Sequence, residues 1–481
     1  MLYYLDSDKL IFGSEMKALL AFGIPKKIDT ISLYTYLQLN YIPGPATIFE
    51  NVYKMVPGTY LLIKNGIVRK KKYYRIPEQT SVTMNISYED AGKKLMELLD
   101  AAVQRRLVAD VPLGAFLSGG IDSSVIAALA ARHSPFINTF SIGYKDEPYF
   151  DETHYADLVA KKLNTDHTVF SLTNDDLFEN LFKVLDYTDE PFADSSALAV
   201  HILSMYTRKK VTVALSGDGA DEMFAGYNKH YAHFKARKSG LSAGMIKAGE
   251  AIWKRIPQSR NSGIGNKARQ LNRFAQGLRL SEKERYWNWC AFTDETTSRE
   301  LFAGRLDETE YLKRKNKLLG SIGTGDGICD ILYTDMHLVL QNDMLTKVDM
   351  MSMANSLEVR TPFLDHEVVD FVFSLPEKYK INAGIRKRIL QDTFREVLPD
   401  ELYKRPKQGF EVPLIKWLRT DLRTLITDDL LKESTIREQG LFDPTEIKRM
   451  IAKLFSSNPE DIHARIWGLI VFQYWWKKYF L

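Results

Sequence analysis

The sequence predicts an α/β chain: a doubly wound parallel sheet with a helical C-terminal half, preceded by a partial α+β segment. Two observations carry that expectation. Apolar runs at Val111–Leu117 and Val211–Leu215 each lead into a glycine-rich, acid-bearing loop, Ser118-Gly119-Gly120-Ile121-Asp122-Ser123-Ser124 and Ser216-Gly217-Asp218-Gly219-Ala220-Asp221-Glu222. An apolar run without alternation reads as a strand covered on both faces, as in a parallel sheet. From Phe140-Ser141-Ile142-Gly143 to Ala214-Leu215 strand and helix signals alternate, and the second half of the chain is patterned almost wholly for helix.

In chain order, Tyr3–Phe12 reads as a hairpin and Glu15–Phe22 and Ile31–Asn40 as helices, before Pro43-Gly44-Pro45 breaks the pattern. Strand signals return at Thr59–Ile63 and Val68–Tyr74, and Asn65-Gly66 between them is a strong hairpin turn. Patterning gives way to polar residues near Arg75–Thr80, which divides the chain into domains of residues 1–79 and 80–481. Ser87-Tyr88-Glu89-Asp90 resembles a capping box that opens an amphipathic helix with Leu95, Leu98, Leu99, Val103 and Leu107 inward. Val125–Ala131, directly behind the first glycine loop, is a strong helix former. Near the end Ile466–Trp476 is the longest apolar run; too short to span a bilayer, it reads as a buried terminal helix stopped by Lys477-Lys478.

The two loops carry the chemistry. Small residues let backbone N–H groups curl around an anion, and the helix that follows adds its positive dipole end, so each loop suits phosphate oxygens. A carboxylate cannot hold phosphate by itself. Asp122 therefore implies a bridging cation, and a hard oxygen ligand suits Mg²⁺ held between protein and pyrophosphate. Asp218, Asp221 and Glu222 give the second loop the same acidity, so two adjacent strand ends would flank one nucleotide. A single loop of this kind reads equally as a glycine turn with a Ser or Asp helix cap; its recurrence on matching strands favours a site. Walker A, nucleophile-elbow and Rossmann glycine spacings are all missing.

Ser118–Ser123 resembles the pyrophosphate loop of the PP-loop ATP pyrophosphatases. Ser216–Tyr227, Asp343–Asp349, Ser356–Asp365 and Arg405–Phe410 then follow in the order found in the synthetase domain of glutamine-dependent asparagine synthetases, which the chain resembles from about residue 1 to its C-terminus. The resemblance implies an adenine nucleotide α-hydrolase-like sheet and an adenylating amide synthesis using ATP and Mg²⁺, in which the aspartate side chain attacks the α-phosphorus and ammonia displaces AMP. By motif position, Lys387 of Gly384–Leu390 resembles the lysine that neutralises the phosphates in the transition state. Asp122 and Asp221 resemble the Mg²⁺ carboxylates, and Ser118, Gly119, Gly120, Ser123 and Ser124 the pyrophosphate cradle. Leu117, Ile142, Ser216 and Gly217 fall on the nucleotide side, although Leu117 and Ile142 would be core residues of any parallel sheet. Asp218 takes the place of an acidic residue near the acyl-adenylate that is glutamate in some relatives. Glu358 has either a substrate-side role or a structural ion pair, and Lys407 and Arg405 read as a solvated loop edge.

Residues 1–79 resemble the later part of an N-terminal-nucleophile glutaminase domain. Full-length members begin with a cysteine freed as residue two, whereas residue two here is Leu2. The expectation is a truncated domain without glutaminase chemistry, an ammonia-fed synthesis, and exposed sheet edges that call for a homodimer or another covering partner. Two rival readings keep the same machinery or discard it: amidation of a different carboxylate, as in β-lactam synthetases or surface-polysaccharide loci, and a non-catalytic truncated fragment. Intact Asp122, Asp221 and Lys387 argue against the fragment.

Composition fits an ordinary globular chain of two or three domains, with 45% hydrophobic and 26% charged residues and a net charge of +4 over 481 residues. Its near balance of charge argues against a nucleic-acid protein, so small-molecule substrates are expected, and the weak basic charge and missing cysteine pair disfavour a tRNA-modifying PP-loop enzyme. The basic stretch Lys235–Arg279 reads as a solvated helical face. Cys290 and Cys329 are the only cysteines and form no metal pattern, which predicts small buried thiols and fits a cytoplasmic protein. Met1–Asp8 lacks the basic start of a signal peptide, and no membrane association is expected.

Overall fold

The N-terminal segment is anchored by one helix buried on nearly every side. The computed structural model describes residues 1–78, 84–146, 151–238, 263–323, 327–404 and 414–481. β1 (Leu2–Leu5) pairs antiparallel with β2 (Leu10–Gly13) and, on its other edge, with β3 (Val52–Lys54); α1 (Met16–Ala21) and α2 (Thr30–Leu39) lie between them in sequence. The Asn-Gly signal holds: β4 (Thr59–Lys64) and β5 (Ile67–Lys72) form a hairpin turned by Asn65 and Gly66 at φ 51° and 75°. Leu62, Ile63 and Ile67 of this hairpin and Phe12 of β2 are exposed, in line with the apolar surface expected of this segment. Asp29 caps α2 by accepting from Ile31 N and Ser32 N, and Leu33, Tyr36 and Leu39 are fully buried. Tyr36 Oη donates to Gly468 O of the terminal helix Ile462–Phe480 at 2.7 Å. The N-terminal segment therefore shares one continuous apolar core with the rest of the chain. Residues 79–83, at the expected boundary, lie outside the described residues.

α3 (Tyr88–Arg106) opens at Ser87, whose Oγ accepts from Asp90 N at 3.1 Å; it buries Leu95, Leu99 and Val103 and leaves Leu98 and Leu107 partly covered. Strand and helix then alternate through β6 (Leu113–Phe116), α4 (Ile121–His133), β7 (Asn138–Tyr144), α5 (Thr153–Leu163) and β8 (Asp166–Leu172). α6 (Asn174–Tyr187), α7 (Ala197–Thr207), β9 (Val213–Leu215) and α8 (Ala220–Met223) follow. The helical half returns one short strand, β10 (Glu358–Arg360), which completes a parallel sheet of order β10-β9-β6-β7-β8. β10 is an exception within the almost wholly helical pattern expected there, and a strand this short leaves no readable period.

The chain leaves β6 in one direction through β7 and β8 and resumes on the other side with β9. Strand order thus reverses between β6 and β9, and at such a point the loops diverge and open a crevice beyond the carboxyl ends. These are the two strands that feed the glycine loops. Two further expectations change in detail. The terminal helix runs past Lys477 and Lys478, which pair with Asp429 at 2.9 Å and donate to Asp186 O at 2.7 Å. Residues 239–262 of the basic stretch lie outside the described residues, while Gly263–Gly277 is helical. No helix among the described residues is long and apolar enough to cross a membrane.

Leu39→Ala should cost about 2–5 kcal/mol, the range for a buried leucine whose cavity cannot close. Because the core is continuous, urea unfolding should show one shifted transition with no separate loss of the N-terminal segment.

Candidate active site

The first glycine loop is knotted by its own serines. Ser118 N donates to Ser123 Oγ at 3.1 Å, Gly120 N donates to Ser118 Oγ at 3.4 Å, and Ser124 N closes the first turn of α4 on Gly120 O at 3.0 Å. The second loop lies directly against it: a Cβ on Gly217 would sit 2.7 Å from Ser123 N, so only glycine permits this approach. A cavity of about 460 Å³ opens where the loops meet. Leu117, Ser118, Asp122, Ser123, Ile142, Ser216, Gly217, Asp218 and Asp221 line it, all singled out from sequence. Gly119, Gly120 and Ser124 do not. Gly119 and Gly120 form the turn behind it, and the Ser124 hydroxyl is fully buried without a hydrogen-bond partner.

Three segments converge on two of the carboxylates that line this cavity. Lys387 donates to Asp122 Oδ2 at 2.5 Å and to Asp221 Oδ1 at 2.7 Å. Burial opposes the ammonium, but the two carboxylates outweigh it and hold the lysine charged well above its ordinary range. Gly226 makes room, since a Cβ there would fall 1.8 Å from Asp221 Oδ1 and 2.2 Å from Lys387 Cε. Two carboxylates already converge on one cationic position, with oxygen donors only, so the site fits Mg²⁺. Among the described residues no three acidic, histidine or cysteine groups form a cage, so a metal here would draw its remaining oxygens from phosphate.

The cavity's inner wall is also charged. Asp218 accepts a hydrogen bond from Ser216 Oγ, and burial raises its proton affinity. Glu222 accepts from Tyr227 Oη at 2.7 Å, and burial, with Asp221 adding to it, pushes its pKa to about 8. Opposite them Lys347 donates to Asp194 Oδ2 at 2.8 Å and Ser196 Oγ at 2.9 Å, beside Asp343. Asp194 and Ser196 escaped sequence reasoning. Asp343 and Lys347 lie in a quoted motif, and their four-residue spacing, which puts both on one helical face, was the signal for them.

Glu358 needs correction as a site residue. It stands beside Val213 at the amino end of β9, the opposite end of the sheet from the cavity, with its side chain 55% exposed. Residues two apart on a strand share a face, and Glu358 pairs with Arg360 Nε at 2.7 Å. Arg405 and Lys407 lie outside the described residues.

Comparison with known proteins fits this geometry. Residues 94–477 match the asparagine synthase profile, and residues 1–74 match a glutamine amidotransferase domain. The chain belongs to the asparagine synthase family. It is 28% identical to a protein named asparagine synthetase (glutamine-hydrolyzing) 1 of Bacillus subtilis, over 98% of this chain and 73% of that protein. A putative asparagine synthetase of Methanocaldococcus jannaschii is 30% identical over 75% of this chain and 68% of its own length. A protein of Gibberella zeae named amidase chry2 is 24% identical over 92% of this chain and 70% of its own length. The chain is accordingly a carbon–nitrogen ligase of the ATP-dependent amidating type.

Gly226→Ala should displace Asp221 and Lys387 by roughly an ångström and lower ATP-dependent pyrophosphate formation about a hundredfold or more, the usual cost of such a misplacement. A folded variant with normal turnover would separate this glycine from the site.

Proposed function

We propose that this chain joins ammonia to the side-chain carboxylate of aspartate through an acyl-adenylate, giving asparagine, AMP and pyrophosphate. The observation behind the proposal is the convergence of Lys387 on Asp122 and Asp221, two carboxylates that line the strand-switch cavity. A carboxylate oxygen of the substrate attacks the α-phosphorus, and the bond from that phosphorus to the pyrophosphate oxygen breaks. Ammonia then attacks the acyl carbon, the carbon–oxygen bond to AMP breaks, and the nitrogen loses a proton. Lys387 stabilises negative charge on the departing pyrophosphate, and Ser118, Ser123 and the loop backbone hold its oxygens. Leu117, Ile142, Ser216 and Gly217 wall the nucleotide. The Asp218 carboxylate, its proton affinity raised by burial, takes up the proton that the nitrogen releases. Asp122 and Asp221 would hold a Mg²⁺, which supplies charge neutralisation on the phosphates when bound.

Ammonia as the nitrogen source rests on the thiols. No cysteine falls within the residues that match the amidotransferase domain, and Cys290, within 3.6 Å of Lys229, has its thiol pushed up by burial, the reverse of an activated nucleophile. Amide-¹⁵N glutamine supplied to the isolated protein should put no label into product, whereas ¹⁵N-ammonium should; label from glutamine would contradict this source.

Asp122→Asn should lower pyrophosphate release by roughly a hundredfold or more. Lys387→Ala should reduce kcat and kcat/KM together with little change in KM for ATP, the pattern of a group that acts in the transition state. Unchanged turnover in the first variant, or a raised KM alone in the second, would contradict these roles.

A further inference from the structure

One surface element far from the nucleotide cavity carries charge and apolar side chains that nothing else in the chain answers. Between Glu50 and Glu78 the sequence has no acidic residue, while the hairpin β4–β5 alone brings Lys64, Arg69, Lys70, Lys71 and Lys72. All five are exposed, and among the described residues none of them makes an ion pair or a side-chain hydrogen bond. Lys70 shows the consequence. Partial burial, Lys317 and Lys72 together push its pKa down, because the charges around it are of its own sign.

The register of the hairpin sorts these cations. Directly opposed residues share a face, and on the outer face Tyr60 opposes Lys71, Leu62 opposes Arg69 and Lys64 opposes Ile67. Each pair joins one cation to one apolar or aromatic side chain. Leu62, Ile63 and Ile67, beside the Asn65-Gly66 turn, keep 51%, 52% and 57% of their surface open to solvent, whereas Leu61 and Val68 on the inner face are partly buried. The stem is held. Tyr73 N donates to Gly58 O at 2.8 Å, and Tyr74 Oη donates to Asp370 Oδ1 at 2.8 Å. Two strands that form a sheet of their own thus present an apolar tip, ringed by unpaired cations, at the end of a fixed stem.

We propose that this hairpin docks the protein on an anionic lipid surface, with the tip at the acyl-chain boundary and the cations on the headgroup phosphates. The docking is independent of the amidation reading. Charge complementarity picks the occupant. A polyanion such as nucleic acid would satisfy Arg69 and Lys71 but leave Leu62, Ile63 and Ile67 in water, and a neutral apolar partner would bury the tip and strand the cations. A surface with anionic groups outside and hydrocarbon beneath meets both. The contact lies on the membrane and does not span it, since no helix among the described residues is long and apolar enough to cross one. The expectation of no membrane association rests on the short apolar runs and the missing signal peptide, and a docking hairpin needs neither.

The test is co-sedimentation of the full chain with vesicles of phosphatidylcholine alone and with vesicles of an equal mixture of phosphatidylcholine and phosphatidylglycerol. The wild type should sediment with the mixed vesicles and stay in solution with the neutral ones, and added salt should weaken the binding. Arg69→Gln combined with Lys71→Gln should lower partitioning about tenfold or more. Leu62→Ser combined with Ile67→Ser should do the same at unchanged charge. Both double variants should keep the wild-type circular dichroism and ATP-dependent pyrophosphate formation, because the hairpin lies outside the nucleotide cavity. A wild type that ignores the mixed vesicles or binds neutral ones equally overturns the docking, as does full binding in either double variant. If the vesicles stay bare and the same substitutions split a dimer, a second copy of the chain covers the tip in place of lipid, and the docking is overturned.

Discussion

Asp122 at the start of α4, Asp221 at the start of α8 and Lys387 from the helical half meet within hydrogen-bond distance in a buried crevice, and most of the architecture follows from keeping them there. Two carboxylates brought together out of water repel, and removing the cation between them would leave an uncompensated buried charge. The sheet order solves the placement by reversing between β6 and β9, so that two helix N-termini open side by side. Gly217 and Gly226 solve the contact, one letting the loops touch and the other letting the carboxylate and ammonium pass the backbone. A phosphate-handling site needs this economy, because its catalytic power comes from preorganised charge more than from covalent participation by the protein.

The N-terminal segment contributes to that site although it lies far from it in sequence. Asp189 Oδ2 accepts from Met16 N at 2.5 Å, and Glu190 accepts from Ile48 N at 3.2 Å and pairs with Lys54. With Ala193 N on Asn40 O, these contacts fix the run that carries Asp194 and Ser196 into the cavity wall. The part of the chain that matches the amidotransferase domain thus serves as a mount for the synthetase half, whatever nitrogen chemistry accompanies it.

Sequence patterning read the fold best where local chemistry decides it. The Asn65-Gly66 turn and the two strand–loop–helix units are each fixed by a few adjacent residues and took the expected form, while of the capping box expected at Ser87 only the cap on Asp90 N formed, the Ser87 hydroxyl donating to Asp90 Oδ2. The misses are tertiary. β10 exists because β9 offers an edge to three residues, and the last turn of the terminal helix persists because Asp429 and Asp186 receive Lys477 and Lys478. In the site, the loop residues were legible because glycine and aspartate stand out after an apolar strand. Asp194, Asp343 and Lys347 were not assigned roles, since which of them meet is a property of packing. Glu358 shows the converse: a motif position drew attention to a side chain that the strand register turns to the far end of the sheet.

Oxygen transfer tests the central claim most directly. L-Aspartate carrying ¹⁸O in its side-chain carboxylate, incubated with ATP, Mg²⁺ and ammonium, should deliver one labelled oxygen to AMP and none to pyrophosphate, because the acyl oxygen that bonds the α-phosphorus leaves with it. Label in a terminal phosphate, or product formed with AMP unlabelled, would contradict attack at the α-phosphorus and the acyl-adenylate with it.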